Sequence, residues 1–439
     1  MAEDVKVPED WDTSNLGKLA SFINGYAFKP EDWKEDGLPI VRIEQLKDPN
    51  AKYDYSDKKL PDIYLIDNGD LIFSWSATLA IKLWDRGKAY LNQHLYKVIP
   101  NSTIEKRFLK YLLEHKIEDL SKEAHGSTMK HITRSFLLNF RVTYPKSKLE
   151  QRKIAEILET IDNAIEKTDK IIEKYKRIKQ GLMQDLLTKG IDENGQIRSE
   201  ETHRFKDSPL GRIPEEWEVV ELGKLCILIT KGTTPTTYGF NFTSSGIKFL
   251  KVESIDEEGN IIENQLAFID EITHKYLRRS QLKENDLLFS IAGAIGRVFV
   301  VNKKILPANI NQNLALIRLK ENVNINTKFL YYFLKSKFIE KHIQKIMVQL
   351  AQSNISLNDV SHFKIPVPPL EEQKRIASIL SQIDETIEKE QAYKEKLERI
   401  KQGLMEDLLT GRVRVDHLIE GGKVDGSGTS QRKPSETCK

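Results

Sequence analysis

Cysteine is nearly absent from the 439 residues: Cys226 and Cys438 are the only two, far apart and in no paired spacing. Structural disulfides, zinc clusters and dithiol redox motifs are therefore excluded as organising devices. No apolar run approaches the roughly 18 residues needed to span a bilayer. The first residues also lack the basic start, apolar stretch and small-residue cleavage site of an export signal, so a cytoplasmic protein is expected. Charge of one sign is lacking too, with a net value of +3 and a pI near 8.4. Any nucleic-acid surface must come from local patches and not from a global basic field. There is no Walker phosphate loop, no glycine-rich dinucleotide signature and no Asn-Pro-Pro-aromatic methylase motif, so no catalytic residue is assigned. His115, His125 and His131 are irregularly spaced and give no metal site. Pro61-Asp62 and Glu114-His115-Lys116 contain pieces of a nuclease metal centre but no third carboxylate, and read as ordinary surface.

What is present is a repeat. Residues 151–188 align without a gap on 373–410, with about 23 of 38 positions identical, including the run Arg-Ile-Lys-Gln-Gly-Leu-Met. In the first copy Leu158, Ile161, Ile165, Thr168, Ile172, Tyr175, Lys179, Leu182 and Leu186 recur at spacings of three and four, the seam of a helix that packs on another helix. The second copy gives Leu380, Ile383, Ile387, Glu390, Lys394, Leu397, Lys401, Leu404 and Leu408, with a more polar middle. There Tyr393 and Ile400, matching Ile171 and Ile178, are read as broadening the apolar face. Each helix would run roughly 55 Å, too long to stand alone, so pairing with its own copy is expected. Gly181 and Gly403 interrupt both copies at the same place, which points to close helix packing or, alternatively, to a hinge or partner contact. Gly190 and Gly411 are expected to cap the C-terminal ends.

A looser repeat precedes each helix. Leu16-Gly17-Lys18-Leu19 answers Leu222-Gly223-Lys224-Leu225, Asp70-Leu71-Ile72-Phe73-Ser74 answers Asp286-Leu287-Leu288-Phe289-Ser290, and Leu91-Asn92-Gln93-His94-Leu95 answers Ile310-Asn311-Gln312-Asn313-Leu314. The predicted fold is mixed α/β: two globular domains, 1–149 and 214–370, joined by two long antiparallel helices, 150–190 and 371–412, in an internal pseudo-two-fold repeat. Residues 191–213 read as a polar linker and 413–439 as a flexible tail. A two-fold protein meets duplex DNA in two half-sites a roughly fixed distance apart, about one turn of 34 Å or its multiples. Diverged domains on matching helices predict an asymmetric, interrupted target.

Pro366-Val367-Pro368-Pro369-Leu370-Glu371-Glu372-Gln373, the following Ile376-Ala377 and Ile379-Leu380, and the two Lys-Gln-Gly-Leu-Met-x-Asp-Leu-Leu-Thr segments carry a family resemblance. So do Gly25-Tyr26-Ala27-Phe28-Lys29, Gly232-Thr233-Thr234-Pro235, Ser290-Ile291-Ala292-Gly293 and Gln352-Ser353-Asn354-Ile355-Ser356. The chain, to about Val415, resembles the specificity subunits of type I restriction-modification systems. It departs from that pattern at residues 144–151, where the double proline is missing. The resemblance implies that the globular halves are target recognition domains and that the helices hold two modification (methyltransferase) subunits. It also implies that restriction (translocase-nuclease) subunits join for cleavage. S-adenosylmethionine, ATP and Mg would then belong to those partners, and this chain would carry no cofactor and no catalysis.

Asn and Gln donate and accept together and so match adenine edges, while Lys and Arg reach guanine or phosphate. The candidate double-stranded-DNA-binding residues are Tyr26, Lys29, Arg42, Gln93, His94, Ser127, Thr128 and Lys130 in the first half. In the second they are Lys231, Thr233, Thr234, Thr236, Lys251, Asn313, Gln352, Ser353 and Asn354. Against this, Gly25 and Gly232 read as plain turn formers, and Gln93 and Gln312 as groups that satisfy buried backbone. The aromatic and basic run 328–337 reads as an amphipathic helix with snorkelling lysines, in preference to a stacking platform. Two other functions remain open: an enzyme with its own active site, and a coiled-coil scaffold whose globular halves bind protein.

Overall fold

A computed structural model of the chain describes residues 7–48, 50–76, 79–123, 132–350 and 353–419. The chain divides into two compact units, residues 1–169 with 392–439 and residues 170–391. The first contains β1 (Trp11–Asn15), α1 (Leu16–Leu19), β2 (Ala20–Asn24), β3 (Leu38–Val41), α2 (Ile43–Lys47), β4 (Asp54–Ser56) and β5 (Leu65–Ile66). It continues with β6 (Leu71–Ser74), β7 (Ala80–Leu83), β8 (Ala89–Leu91), β9 (Leu95–Pro100), α3 (Lys106–His115), α4 (Ile117–Glu123), α5 (Arg134–Asn139) and β10 (Arg141–Pro145). Helix α6 (Lys148–Leu186) then leads into the second unit.

There follow β11 (Phe205–Ser208), β12 (Gly211–Pro214), β13 (Glu218–Glu221), α7 (Leu222–Leu225), β14 (Cys226–Lys231), β15 (Ile247–Leu250), β16 (Ala267–Ile269) and α8 (Glu271–Tyr276). After these come β17 (Leu287–Ser290), β18 (Val298–Val300), β19 (Ala308–Ile310), β20 (Leu314–Leu319), α9 (Thr327–Leu334), α10 (Lys337–Leu350), α11 (Leu357–Ser361) and β21 (Lys364–Val367). Helix α12 (Leu370–Leu409) returns the chain to the first unit.

Each unit builds the same framework. A four-stranded sheet runs β2-β9-β6-β7 in the first unit and β14-β20-β17-β18 in the second, antiparallel throughout. β6 and β17 are buried at all four positions, the three apolar residues of each being followed by a buried serine, Ser74 or Ser290, as suits a strand covered on both faces. A second sheet in each unit holds a parallel pair, β3·β8 or β15·β19. On the first sheets lie α3 and α9, whose N-termini are capped by Glu105 accepting from the Phe108 amide and Asn326 from that of Phe329. Phe329, Leu330, Tyr332 and Phe333 of α9 are buried, so the aromatic and basic run is an amphipathic helix.

The joint between globular part and helix is a buried glutamine. Gln151 donates to the carbonyls of Thr103 and Pro145, and accepts from the Glu105 amide at 2.7 Å. Gln373 does the same with Asn324, Pro368 and the Asn326 amide, also at 2.7 Å. The hook uses a backbone carbonyl, so the missing second proline at 144–151 does not alter it.

Within each unit the halves of α6 and α12 run antiparallel. In the first, Asp162 meets Lys401 at 2.7 Å and Asp169 meets Lys394 at 2.7 Å. In the second, Lys179 pairs with Asp384, and Arg375 reaches the Glu193 carbonyl. The polar middle of the second seam is thus a set of ion pairs. Tyr393 and Ile400 do not broaden the apolar stripe: both are exposed, as are Ile171 and Ile178. Glu114, read as surface, lies 3.5 Å from Lys401 and 3.1 Å from Lys110 beside the helices. Close packing within the chain does not explain Gly181 and Gly403, since a Cβ at either would meet nothing within 4 Å.

Gly190 and Gly411 cap the helices with φ of +65° and +75°. Beyond them the chain folds back. Residues 191–213, read as linker, carry the β11·β12 hairpin, and Arg198 clasps buried Glu372, with one nitrogen 3.2 Å from Oε2. Arg414 clasps Glu150 at 2.8 Å in the other unit, and Val415 is buried, so packed structure extends past residue 413. Residues 420–439 lie outside the described residues.

Candidate nucleic-acid interface

Antiparallel topology decides which loops meet. β2 and β6 end where β9 begins, with Asn24 opposite Tyr96 and Ser74 opposite Leu95. The segments 25–29, 75–76 and 92–94 therefore share one end of the sheet. In the second unit Lys231 lies opposite Ala315 and Ser290 opposite Leu314, which gathers 232–243, 291–297 and 311–313 at the corresponding end.

Close backbone approach holds these loops together. The Tyr26 amide donates to the Leu91 carbonyl at 2.7 Å and the Gln93 amide to that of Tyr26 at 2.9 Å. A Cβ on Gly25 would overlap the carbonyls of Leu91 and Asn92, and one on Gly232 that of Ile310. Neither glycine has positive φ. Both are there for clearance, not as turn formers. The Gly232 amide donates to the Asn311 carbonyl at 3.1 Å.

The expected division of labour among the polar residues changes here. Asn92 and Asn311 are the buried groups, and their side-chain oxygens accept from the amides of His94 at 3.3 Å and Asn313 at 3.1 Å. Gln93 and Gln312, read as backbone-satisfying, are exposed. Gln312 accepts from the Thr234 hydroxyl at 2.5 Å, and Gln93 lies 3.4 Å from the His94 ring. The Asn313 carbonyl accepts from Ile291, whose own carbonyl accepts from Ile355, and Ala292 bridges Asn354. Lys231, Thr233, Thr234, Asn313, Ser353 and Asn354 are thereby brought to one end of the second sheet, with exposed Thr236 on the same loop. Lys251 stands over the Phe242 ring at 4.5 Å.

In the first unit Tyr26, Gln93 and His94 come together, and His94 packs 5.9 Å from Trp75. Lys29 is exposed and faces Glu31 at 3.8 Å. Arg42 is committed within the fold, held 2.5 Å from Asp54 and 4.9 Å from the Trp33 ring, so its charge is already partnered. Ser127, Thr128, Lys130 and Gln352 lie outside the described residues, as do His125 and His131.

Residues 8–176 and 214–399 match the type I restriction modification DNA specificity domain. This chain belongs to the type I restriction-modification specificity subunit family. It is 29% identical over 94% of its length, and 95% of the relative's, to the type I restriction enzyme MjaVIII specificity subunit of Methanocaldococcus jannaschii. It is 26% identical to the EcoBI specificity subunit of Escherichia coli over 86% of this chain and 80% of that one. The fold is shared with the S subunit of a type I system from M. genitalium, at a TM-score of 0.58 and 16% identity, covering 93% of this chain and 98% of that one. A chain solved in work on complex assembly and conformational transition of the type I R-M system gives 0.55 and 20%, covering 93% and 100%. Members of this family serve DNA sequence specificity. Among the described residues no helix is long and apolar enough to cross a membrane.

Several side chains that no sequence motif marks complete these loops. Lys58, fixed to Asp32 at 2.9 Å, covers the Tyr26 ring at 4.9 Å, and Tyr64 packs on that ring at 5.4 Å. Hydrogen bonds to Asp32 and Tyr26 hold the Lys58 ammonium above its ordinary range. Tyr238 and Tyr276 form a pair at 5.1 Å in the second unit. An aromatic in each loop was the available signal, but its ring partners come from segments distant in sequence.

Proposed function

We propose that this chain reads a bipartite, gapped and asymmetric DNA site for a type I restriction-modification enzyme, with the sheet-end loops of each unit reading one half. The observation that carries the reading is that two units with diverged sequences gather the same loops at the same sheet end, through the same close-approach glycines, Gly25 and Gly232. Repeated scaffolds with diverged polar tips suit a repeated ligand whose sequence differs between halves. Tyr26, Lys29, Gln93 and His94 serve the first half-site, and Lys231, Thr233, Thr234, Thr236, Lys251, Asn313, Ser353 and Asn354 the second, with Gln312 added. Glutamine matches adenine edges, and lysine matches guanine or phosphate.

α6 and α12 set the spacing between half-sites and dock two methyltransferase subunits. Exposed Ile171, Ile178, Tyr393 and Ile400, and the unfilled space over Gly181 and Gly403, support a partner on the outer helix faces. Catalysis, with S-adenosylmethionine, ATP and Mg, belongs to the modification and restriction subunits, and the assembly works in the cytoplasm.

The test is to map methylated bases in DNA exposed to this chain with its modification partner. A gapped two-part motif is expected; continuous or random sites would overturn the reading. Methylation or cleavage by the purified chain alone would overturn the division of labour.

A further inference from the structure

The second unit has an exposed apolar ridge that base reading by polar loops does not use. α8 lies on the three-stranded sheet β16-β15-β19 through Thr273 and Leu277, both buried. Four-residue spacing then places Ile272 and Tyr276 together on a flanking face, where they are 70% and 56% exposed. Tyr238, from the loop after Gly232, packs edge-on against Tyr276 at 5.1 Å and is itself 51% exposed. Phe240 buttresses Tyr276 at 5.0 Å, and Phe242 anchors the loop on buried Phe249 at 5.4 Å. A ring pair with an isoleucine one helical turn away, all standing in solvent, is the kind of exposed apolar patch that marks a partner surface.

The surroundings select the partner. Lys275, Arg278 and Arg279 are exposed beside the ridge. The loop that carries Tyr238 also carries Thr234, bonded to Gln312, and Phe242, whose ring lies under Lys251. Apolar side chains sharing their helix with cations and their loop with base-reading groups fit a duplex whose phosphates meet the cations while the apolar tip enters between base pairs. The first unit differs at the corresponding loop. There the Tyr26 ring is covered by Lys58 and packed by Phe28 and Tyr64.

We propose that Ile272, Tyr276 and Tyr238 form a wedge that unstacks one base step of duplex DNA in or beside the half-site read by the second unit. That half-site is then selected partly by how readily its sequence kinks, and the first half-site is not. The proposal rests on the DNA-reading function above.

The full chain is mixed with a duplex carrying the site mapped by methylation, with 2-aminopurine placed in turn at each position of the second half-site and its flanks. The fluorescence of one position is expected to rise several-fold on binding. Tyr276→Ala and Tyr238→Ala should abolish the rise and weaken binding about ten-fold, with an unchanged slope of affinity against salt, because no phosphate contact is lost. Tyr276→Phe should keep the rise. Arg278→Ala and Arg279→Ala should keep it too and lower the salt slope by about one each. A wild-type chain that binds the mapped duplex with no rise at any position, or alanine variants indistinguishable from it, would overturn the wedge alone. A wild-type chain with no preference for the mapped duplex over a scrambled one would overturn the recognition reading and the wedge with it.

Discussion

Lys401 of α12 places its ammonium 2.7 Å from the Asp162 carboxylate of α6, and the same carboxylate accepts the Tyr111 hydroxyl at 2.8 Å. Burial pushes the Asp162 carboxyl up, but the Lys401 hydrogen bond, the nearby Lys110 charge and the Tyr111 hydroxyl outweigh it and hold the group below its ordinary value. The second unit repeats the arrangement with Asp384, Lys179 and Tyr332, whose hydroxyl donates to Asp384 at 2.7 Å. Asp162→Ala leaves Lys110 and Lys401 to share Glu114 alone and the Tyr111 hydroxyl without its acceptor, and is expected to cost about 1–3 kcal/mol. Denaturant unfolding checks this. Adding Lys401→Met to Asp162→Ala should recover part of the loss, which separates the stranded charge from a packing defect.

Lys335 and Glu114 show where the two repeats diverge. In the first unit Glu114 lies 3.5 Å from Lys401. In the second, Lys335 occupies the corresponding place near Lys179, and burial, then repulsion from Lys179, lowers it to about 8 despite Asp384, Glu258 and Asp256 nearby. Between about pH 8 and the ordinary lysine value of 10.5 the unfolded chain holds a proton that the folded chain has released. The burial penalty is therefore complete below pH 8 and is relieved as pH rises through that window. Urea midpoints taken across it should climb for the wild type more steeply than for Lys335→Met, which should also be the more stable at pH 7.

Gly181 and Gly403 sit in exposed helix interiors with room for a side chain, and Gly403 lines a cleft of about 710 Å³ beside α3 and α4. Alanine at either should stabilise the isolated chain by about 0.5–1 kcal/mol, read as a higher unfolding midpoint. The same changes should weaken co-elution with the modification subunit if a partner backbone approaches there. Unchanged assembly would remove these glycines from the docking surface.

Gly25→Ala forces a Cβ into the Leu91 and Asn92 carbonyls and should destabilise the first unit by about 1–3 kcal/mol. Its milder companion is Gln93→Ala, an exposed change with little effect on folding. Methylation mapping should show Gln93→Ala blurring one half of the site, by about 1–3 kcal/mol of discrimination, while the other half stays sharp. Gln312→Ala should do the reverse. Equal blurring of both halves by either change would contradict one unit per half-site.

The amino-acid sequence by itself determined the repeat, the two long helices and their glycine caps, because three-and-four spacing and C-terminal glycine are local physics repeated over many residues. It also marked Tyr26, Gln93, Thr234 and Asn354 as polar or aromatic groups on loops. Only the tertiary structure decided which of these meet, since strands that pair antiparallel bring together loops tens of residues apart. It reassigned the buried backbone-satisfying role from Gln93 and Gln312 to Asn92 and Asn311, because adjacent residues in a turn point opposite ways. It turned the polar seam positions Lys179, Lys394 and Lys401 into ion pairs, since a lysine's value depends on whether a carboxylate stands opposite it. And it exposed the Ile272 and Tyr276 ridge, which no sequence motif marks, by burying Thr273 of the same short helix and Leu277 just after it.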